Sequence, residues 1–302
     1  MTVGVVITTH EGAGAMVRHC VAAVVNAGDV DLVVVVDNSG HNTAGVGETV
    51  DSEAYGGGVD CALHVDNLGF GAAANAGFRY VIERLGDNCM IALLNDDVVV
   101  SSGWLGPLKA VLDGNERIGA VQPKLLISGT EPALVNSVGV VLDHTGAGTD
   151  IGYREPDGPI WNTSGPIELF SGGAVLLSAA FIDDLDGFDE RYFLYYEDVD
   201  LSLRGAERRW AFHCATTSVV THAVGASAVL LGDDLRRIQD RNRLWVAFRF
   251  GSTRVIAAAL WLSIRRLRHQ PRRIHARALV QGVAGAPTRL LERRRAGQQW
   301  PH

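Results

Sequence analysis

The chain opens with short apolar segments separated by longer amphipathic ones. Four segments are rich in valine, isoleucine and leucine and are bounded by polar residues: 3–8, 32–36, 62–65 and 90–94. Continuous rather than alternating hydrophobicity is typical of strands buried on both faces of a parallel sheet. Residues 15–25 and 72–85 have the length and composition of helices that connect such strands. The pattern predicts an α/β fold with a mostly parallel mixed sheet and flanking helices.

Polar residues follow each of the four apolar segments. They are Thr9, His10 and Glu11, then Asp37 and Asn38, then Asn67, and finally Asn95, Asp96 and Asp97. Because ligands bind outside the carboxyl ends of parallel strands, we expect these residues to face a common site. The glycine-rich stretch 67–77 follows the third segment. Its glycines either let the backbone approach a ligand closely or only permit a tight turn and close helix packing.

The rest of the chain is irregular in its middle and helical towards its end. Residues 121–125 predict another strand, and residues 128–165, rich in Gly, Thr, Asp and Pro, predict irregular connections around an acceptor cleft. Beyond Asp234 the pattern predicts helices over 235–250, 253–267 and 274–291, the last of them broken by glycine and by Pro287.

Charge divides the chain near residue 234. Residues 235–302 carry a net charge of +14 and residues 1–234 one of −21. This asymmetry predicts a catalytic domain at 1–232 and a basic α-helical extension at 233–302. The ten-residue apolar run at 255–264 is too short to span a bilayer. The extension instead fits peripheral contact with an anionic membrane, or a structural cap or homodimer interface. Nucleic-acid binding is not expected, because no recognised motif accompanies the arginines.

The cysteines and the N-terminal residues indicate the cellular compartment in which the protein is expected. The four cysteines are widely spaced, with no Cys-x-x-Cys pair, which indicates neither a zinc ribbon nor a disulfide framework. We expect them to be reduced and buried. The chain enters a strand at once, without the basic segment and cleavage site of a signal peptide. A cytoplasmic location is therefore expected, peripheral on the inner face of the plasma membrane if the extension binds lipid.

Asn95, Asp96 and Asp97 place an amide and two carboxylates where an apolar strand ends. Two carboxylates at such a strand end can hold a divalent cation, which neutralises charge that develops on a departing phosphate group. Hard oxygen ligands suit Mg²⁺ or Mn²⁺. The alternative is a polar turn in which Asn95 or Asp96 caps the next segment.

A second acidic cluster, with Glu197, Asp198 and Asp200, follows an aromatic run. Clustered carboxylates raise one another's pKa, which suits a group that takes a proton from an acceptor hydroxyl. The alternative is an acidic helix N-terminus favoured by the helix dipole. His222 follows an apolar stretch, where it is either a hydrogen-bonded core residue or a metal ligand.

Taken in order, these motifs resemble family 2 glycosyltransferases, most closely the rhamnosyltransferase-like and galactofuranosyltransferase-like branch. The resemblance covers about residues 3–227. It is carried by TTHE at 8–11, VDNS at 36–39, NLGFGAAANAG at 67–77, LNDD at 94–97, FSGGA at 170–174, GFDERYFLYYEDVD at 187–200, and His222.

The resemblance implies a GT-A fold, inversion at the anomeric carbon, and a role for each motif. Asp198 corresponds to the catalytic base with Glu197 beside it, and Asp97 and His222 to ligands of Mg²⁺ or Mn²⁺. The donor-binding positions are Thr8, Glu11, Asp37, Asn38, Asn67, Gly69, Gly71, Asn75, Asn95 and Asp96, with Asp37 at the nucleobase. The acceptor-side positions are Gly172, Gly173, Tyr196 and Asp200. Asn95 stands where a strict Asp-x-Asp motif has its first carboxylate, which weakens the case for tight metal binding.

The donor implied first is dTDP-rhamnose, followed by UDP-hexoses and galactofuranose. The acceptor is a glycan, a lipid-linked sugar or a small molecule. Two alternatives remain: a non-catalytic GT-A scaffold of a membrane glycan synthase, and an NAD-dependent oxidoreductase. The latter rests on Gly12 and Gly14 after the first strand, but Val17 replaces the third glycine of that motif.

Overall fold

The structure is a computed structural model that describes residues 1–10, 12, 14–40, 48–223 and 226–296. The strands in these ranges are β1 (Val3–Thr9), β2 (Leu32–Gly40), β3 (Glu48–Val50), β4 (Cys61–Asp66), β5 (Met90–Asn95), β6 (Val98–Val100), β7 (Ile118–Ile127), β8 (Leu134–Ser137), β9 (Val140–Leu142), β10 (Gly148–Asp150), β11 (Gly165–Ile167), β12 (Ala174–Ser178) and β13 (Ala211–His222). The α-helices are α1 (Ala15–Ala27), α2 (Phe70–Leu85), α3 (Leu105–Asp113), α4 (Ala179–Leu185), α5 (Glu197–Glu207), α6 (Ala226–Phe250), α7 (Thr253–Arg266) and α8 (Arg272–Ala296).

One large mixed sheet organises these elements. Its strand order is β11-β13-β7-β12-β5-β1-β2-β4-β3, with β6 added to β13 and β8 to β7. The strands β5, β1, β2 and β4 run parallel to one another, as the apolar segments predict. β12 enters antiparallel between β5 and β7, so the sheet is mixed. This order places β2 and β4 on one side of β5, and β7 and β13 on the other.

Alternate side chains of the central strands pack against helices on opposite faces. Val5 lies in one core cluster with residues of α1 and α3, whereas Val6 lies in a second cluster with residues of α2 and α4. Successive side chains in a strand point to opposite faces, so a strand covered on both sides must be apolar throughout. The four cysteines are buried and free, as predicted.

The middle of the chain contains more regular structure than predicted. The expected strand at 121–125 is the centre of the longer β7, and β8, β9 and β10 lie within 128–165. β9 and β10 form a small separate sheet.

The predicted break in the last helix is wrong. α8 continues through Pro287. Its glycines serve packing instead, because a Cβ at Gly282 would collide with Leu244, and one at Gly285 with Trp245. Both partners belong to α6, so small residues let the two helix backbones approach closely.

Buried ion pairs join the basic helices to α5 and to the loop after α4. Arg249 of α6 lies 2.8 Å from Asp200, and Arg289 of α8 lies 2.6 Å from Asp189. α6 is interrupted at Gly232, where φ is 48°. The predicted boundary at residue 232 coincides with this interruption, and the division into two domains stays a prediction. Within the described ranges, no helix is both long and apolar enough to cross a bilayer.

Candidate active site

Asp37 lies near the end of β2, buried between β1 and β4. The hydroxyl of Tyr55 donates a hydrogen bond to its Oδ2 (2.5 Å), and the backbone N–H of Ser39 donates to its Oδ1 (2.9 Å). Burial and the neighbouring Asp37 carboxylate raise the pKa of Tyr55, which therefore stays a neutral donor. These contacts hold the Asp37 carboxylate in one orientation at the carboxyl edge of the sheet.

The other donor-side positions fall along the same edge. Thr8 is buried and lies opposite Asn95 in the register of β1 and β5. Asn38 is buried, and its Oδ1 receives no hydrogen bond from the described residues. Asn67 is exposed after β4, where its backbone N–H donates to the carbonyl of Gly40 (3.2 Å). Glu11 lies outside the described residues. Their contacts with a donor stay predictions.

The glycine-rich turn packs against the segment that precedes α5. Gly69 has a φ of 105°, and a Cβ there would collide with the backbone of Phe193. The N–H of Phe70 donates to the carbonyl of Phe193 (2.7 Å), and Gly71 lies against Phe188. Close packing within the fold therefore requires the first of these glycines, whether or not a ligand also approaches it.

Asn75 is buried, and both ends of its side-chain amide bind the loop after α4. Its Nδ2 donates to the carbonyl of Phe188 (3.0 Å) and to Glu190 (3.0 Å), and its Oδ1 accepts from the N–H of Phe188 (2.9 Å). The structure gives Asn75 a role in holding this loop, and its predicted contact with the donor stays a prediction.

Asp97 and His222 are brought together by strand pairing. β6 begins directly after Asp97 and pairs antiparallel with the end of β13, so that Val98 lies opposite His222. Nε2 of His222 lies 3.0 Å from Oδ1 of Asp97. Nδ1 of His222 lies 2.7 Å from Oδ1 of Asn136 on β8. An amide oxygen can only accept, so Nδ1 of His222 donates to Asn136, and Nε2 is left facing Asp97.

This pair fits a divalent cation. Oδ1 of Asp97 is buried, and no described group donates a hydrogen bond to it, although Nε2 of His222 lies close by. At 3.0 Å, either a proton on Nε2 or a cation must lie between these two atoms. Neighbouring ligands at right angles with bonds of about 2.1 Å to Mg²⁺ lie roughly 3 Å apart. No group of three or more His, Cys, Asp or Glu side chains suited to a metal occurs in the described part of the chain. A metal here would take its remaining ligands from water and from the phosphates of a nucleotide.

Asp198 is held in place by backbone groups at the start of α5. Its Oδ2 accepts from the N–H of Gly172 (2.9 Å), and its Oδ1 accepts from the N–H of Val199 (2.8 Å). Burial raises the pKa of Asp198, and these hydrogen bonds oppose that rise. The carboxylate is thus oriented and made more basic than an exposed aspartate.

Glu197 has a different environment from its neighbour. It is buried, and its Oε2 has no hydrogen-bond partner among the described residues. Burial, reinforced by the charge of Asp198, raises the pKa of Glu197 well above its ordinary value. Of the two carboxyl groups, Glu197 therefore holds its proton more readily.

The turn before α5 has an uncommon backbone. Positive φ angles of 68°, 63° and 72° occur at Phe193, Tyr195 and Tyr196. Non-glycine residues avoid this region, so the surrounding structure must stabilise it. Asn242 of α6, which is fully buried, does so: its Nδ2 lies 3.0, 2.9 and 2.7 Å from the carbonyl oxygens of Tyr192, Leu194 and Tyr195.

Three of the four predicted acceptor-side residues line the cavity next to Asp198. A Cβ at Gly172 would contact Asp198, and one at Gly173 would contact His222. The hydroxyl of Tyr196 accepts from the N–H of Gly148 on β10 (3.2 Å).

Asp200 lies elsewhere. It is fully buried, and its carboxylate binds Arg204 (2.6 Å) and Arg249 (2.8 Å). The structure therefore places Asp200 in the packing between α5 and α6 and not at the cavity.

A single cavity of about 910 Å³ connects these groups. It is lined by Asn95, Asp97, Asn136, Asp150, Gly172, Gly173, Tyr196, Glu197, Asp198 and His222, and it continues onto α6, α7 and α8. Its volume lies within the usual range for small-molecule sites. Asp150 stands on its wall with a pKa raised to about 6, mainly by burial and further by the charge of Asp198.

Four residues of this region were not predicted: Tyr55, Asn136, Asp150 and Asn242. Tyr55, Asn136 and Asp150 lie in short elements that the pattern of apolar residues does not mark, and Asn242 is the one asparagine in an arginine-rich helix. A lone asparagine among the buried positions of α6 was the one available signal, because a buried amide needs hydrogen-bond partners.

The mixed sheet carries the carboxylates of Asp37 and Asp97 at the carboxyl edge of its parallel strands, where ligands bind in α/β folds. The model of a family described as "glycosyltransferase like family 2" matches residues 2–250. The chain belongs to this family, as the order of its motifs predicts. The match continues past residue 232 to the end of α6.

Curated relatives match about half of the chain. An O-antigen biosynthesis protein of Myxococcus xanthus is 32% identical over 156 residues, which are 49% of this chain and 12% of that protein. An N-acetylglucosaminyl-diphospho-decaprenol L-rhamnosyltransferase of Mycobacterium tuberculosis is 28% identical over 174 residues, 52% of this chain and 56% of the relative.

Solved structures share the fold along nearly the whole chain. GalNAc-T7 with UDP, GalNAc and Mn²⁺ aligns with a TM-score of 0.65 and 14% identity, covering 95% of this chain and 57% of that one. A mannosyltransferase of Pyrobaculum calidifontis with GDP-Man and Mn²⁺ aligns with a TM-score of 0.53 and 13% identity, covering 97% and 84%. The fold is therefore GT-A, as predicted.

Proposed function

We propose that this chain is an inverting, metal-dependent glycosyltransferase that moves a sugar from a nucleotide-diphosphate donor to an acceptor hydroxyl. The observation that carries the proposal is the placement of the Asp97–His222 pair and of Asp198 on one cavity. The Asp97–His222 pair would stabilise charge on the leaving group, whereas Asp198 would remove the proton from the acceptor. Family 2 membership supports the same division of roles.

The donor would lie along the carboxyl edge of the parallel strands. Asp37, oriented by Tyr55 and Ser39, would receive the N–H of a uracil or thymine base. Asp97 and Nε2 of His222 would hold Mg²⁺ or Mn²⁺, which, when bound, neutralises the diphosphate as it leaves. The rhamnosyltransferase relative makes dTDP-rhamnose the first donor to test.

Asp198 would remove the proton from the acceptor hydroxyl. Its Oδ1 and Oδ2 are each fixed by one backbone N–H, so a carboxylate lone pair stays directed into the cavity. Attack from the face opposite the leaving diphosphate inverts the anomeric carbon. Glu197, with its raised pKa, would remain protonated beside it and so would not compete as the base.

The donor half of the proposal is tested by thermal shift with a panel of nucleotide sugars, with Mn²⁺ or with EDTA. A ligand that binds only the folded state raises the melting temperature by mass action. We expect dTDP- or UDP-sugars to stabilise the protein only with metal, and Asp97→Asn to remove that gain. Asp87→Asn, at an exposed position, is the control. Equal stabilisation of Asp97→Asn and the wild type would contradict the proposed metal site.

A further inference from the structure

The cavity has a second end, formed by the C-terminal helices. Beyond Tyr196 its wall passes to Arg236, Arg243, Arg265, Arg266 and His269. Asp240 is the acidic residue on this part of the wall, and it is already paired with Arg266 and with His275. The positive charge of this end is therefore only partly neutralised within the described residues.

Arg243 has an uncommon environment for an arginine. It is only 1% exposed, and its guanidinium donates to the carbonyls of Thr145 and Ala259 and to the hydroxyl of Ser263. Among the described residues, its Nε has no hydrogen-bond partner and no carboxylate forms an ion pair with it, although the charge of Asp143 acts on it from a distance. A buried charge that is only partly compensated is costly, so such a residue on a cavity wall favours the binding of an anion there.

Arg236 and Arg265 extend this charge towards the open end of the cavity. Neither forms an ion pair with a described carboxylate, and Arg265 lies over the ring of Trp261 at 5.4 Å. Guanidinium groups bind phosphate oxygens through paired N–H donors, which makes arginine the preferred residue for such groups.

The sheet order separates this basic end from the donor nucleotide. Asp37 belongs to β2, on one side of β5, whereas β13, which leads to the basic helices, lies on the other side. Asp97, His222 and Asp198 line the cavity that continues to the basic end, whereas Asp37 is not among its lining residues. We therefore assign an anion at the basic end, beyond the proposed metal pair, to the acceptor.

We propose that Arg236, Arg243 and Arg265 form a subsite for a phosphate or diphosphate group of the acceptor. This inference rests on the proposed function for its assignment to the acceptor. The acceptor class is then a glycosyl phosphate or diphosphate, whose sugar hydroxyl reaches Asp198 while its phosphate lies against α6 and α7. The phosphate belongs to a lipid-linked sugar or to a free sugar phosphate, and the experiment below separates these sources.

The first experiment measures binding of inorganic pyrophosphate to the full chain in EDTA, which removes binding through a metal. Pyrophosphate should bind the wild type, and Arg236→Gln/Arg265→Gln should weaken it about tenfold, the effect of losing a charged hydrogen bond. The matched control is Arg254→Gln/Arg268→Gln, which removes the same charge from residues that do not line the cavity. Equal weakening in both double variants, or no effect in either, overturns the proposal.

A second experiment measures transfer to one sugar presented as an uncharged alkyl glycoside, as its 1-phosphate, and as its diphosphate on a short polyprenyl chain. We expect one of the phosphorylated acceptors to be used at lower concentration, and that preference to be lost in Arg236→Gln/Arg265→Gln. Preference for the polyprenyl form identifies a lipid-linked sugar as the acceptor. Equal use of the 1-phosphate identifies a free sugar phosphate. A preference for the uncharged glycoside overturns the subsite. If the proposed function is wrong but the subsite exists, nucleotides will not stabilise the protein in a metal-dependent way, while pyrophosphate will still bind in EDTA. The two failures can therefore be distinguished.

Discussion

At the scale of single residues, the site depends on how each carboxyl group is surrounded. Glu197 and Asp198 are adjacent in the chain, yet Asp198 accepts two backbone hydrogen bonds while an oxygen of Glu197 has no partner among the described residues. The two carboxyl groups therefore differ in how far their pKa is raised, because their hydrogen-bond donors differ. Sequence motifs locate such a pair, but they do not reveal which member is charged.

The role of Asp198 leads to a kinetic prediction. Asp198→Asn keeps the shape, but only its amide oxygen can accept, so it retains one of the two hydrogen bonds from Gly172 and Val199. Its amide cannot take the acceptor proton. Loss of a general base typically lowers the rate by ~10²–10⁴. We expect turnover to fall by that factor while metal-dependent nucleotide binding, followed by thermal shift, is unchanged. Turnover near that of the wild type would move the base to another residue.

Asp150 provides a pH-dependent prediction. Because its pKa is raised to about 6 in the folded protein, from an ordinary value of 3.8, its ionisation destabilises the fold as pH rises through this window. Asp150→Asn removes that cost. A shift of about two pH units corresponds to roughly 3 kcal/mol.

Denaturant unfolding in EDTA measures this effect. The free energy of unfolding of Asp150→Asn should exceed that of the wild type by up to about 3 kcal/mol at pH 7.5, and the two proteins should converge near pH 4. A stabilisation of equal size at both pH values would show that it comes from packing and not from ionisation.

At the scale of elements, the parts that could be predicted are those with strong periodicity. Continuous apolar runs identified β1, β2, β4 and β5, and polar residues at their ends identified Asp37 and Asp97. The contact of Asn136 with His222 could not be predicted, because β8 is a short strand whose partner β7 is distant from His222 in the chain. Pro287 led to the wrong prediction of a break, because proline normally interrupts a helix. In the structure, the packing of α8 on α6 stabilises the helix around it.

The link between α6 and the turn before α5 is testable through Asn242. Asn242→Ala removes two N–H donors that three carbonyl oxygens share, and each lost hydrogen bond costs about 1 kcal/mol. We expect the free energy of unfolding to fall by about 2 kcal/mol and turnover to fall with it, while nucleotide binding is retained. Asn115→Ala, at an exposed position, is the control. Unchanged turnover in folded Asn242→Ala would mean that the turn keeps its conformation without this contact.

At the scale of the whole molecule, the basic helices have one side packed against the rest of the protein and one side exposed to solvent. Arg249 and Arg289 are buried in ion pairs with the catalytic domain. On the outer side, Trp261 and Ile264 are 60% and 56% exposed and lie three residues apart, on one face of α7. Val280 and Leu291 are also exposed on α8. The structural cap and the membrane contact considered from sequence are thus compatible, since they use different residues.

The membrane contact is measured by sedimentation with lipid vesicles. We expect anionic vesicles to pellet the full chain at low salt and to release it at high salt, because exposed charges are screened beyond about 8–10 Å at physiological ionic strength. Trp261→Ser/Ile264→Ser should reduce pelleting, whereas Ile160→Ser, which removes an apolar residue that is 77% exposed on the catalytic domain, should not. A chain that stays in solution with anionic vesicles at low salt would leave the helices with a structural role alone.

The hydrogen bonds from Asn242 also limit how this enzyme can be recombined with its relatives. The turn that presents the catalytic base and the helix that holds it are encoded about fifty residues apart. A chimera that joins the first 232 residues to a foreign C-terminal region would separate them. Exchange of residues 187–296 as one block would keep them together, and with them the arginines of the acceptor end. With the roles proposed for Asp198 and these arginines, acceptor preference would be inherited as a unit that includes the base, and libraries intended to alter it should be cut before residue 187.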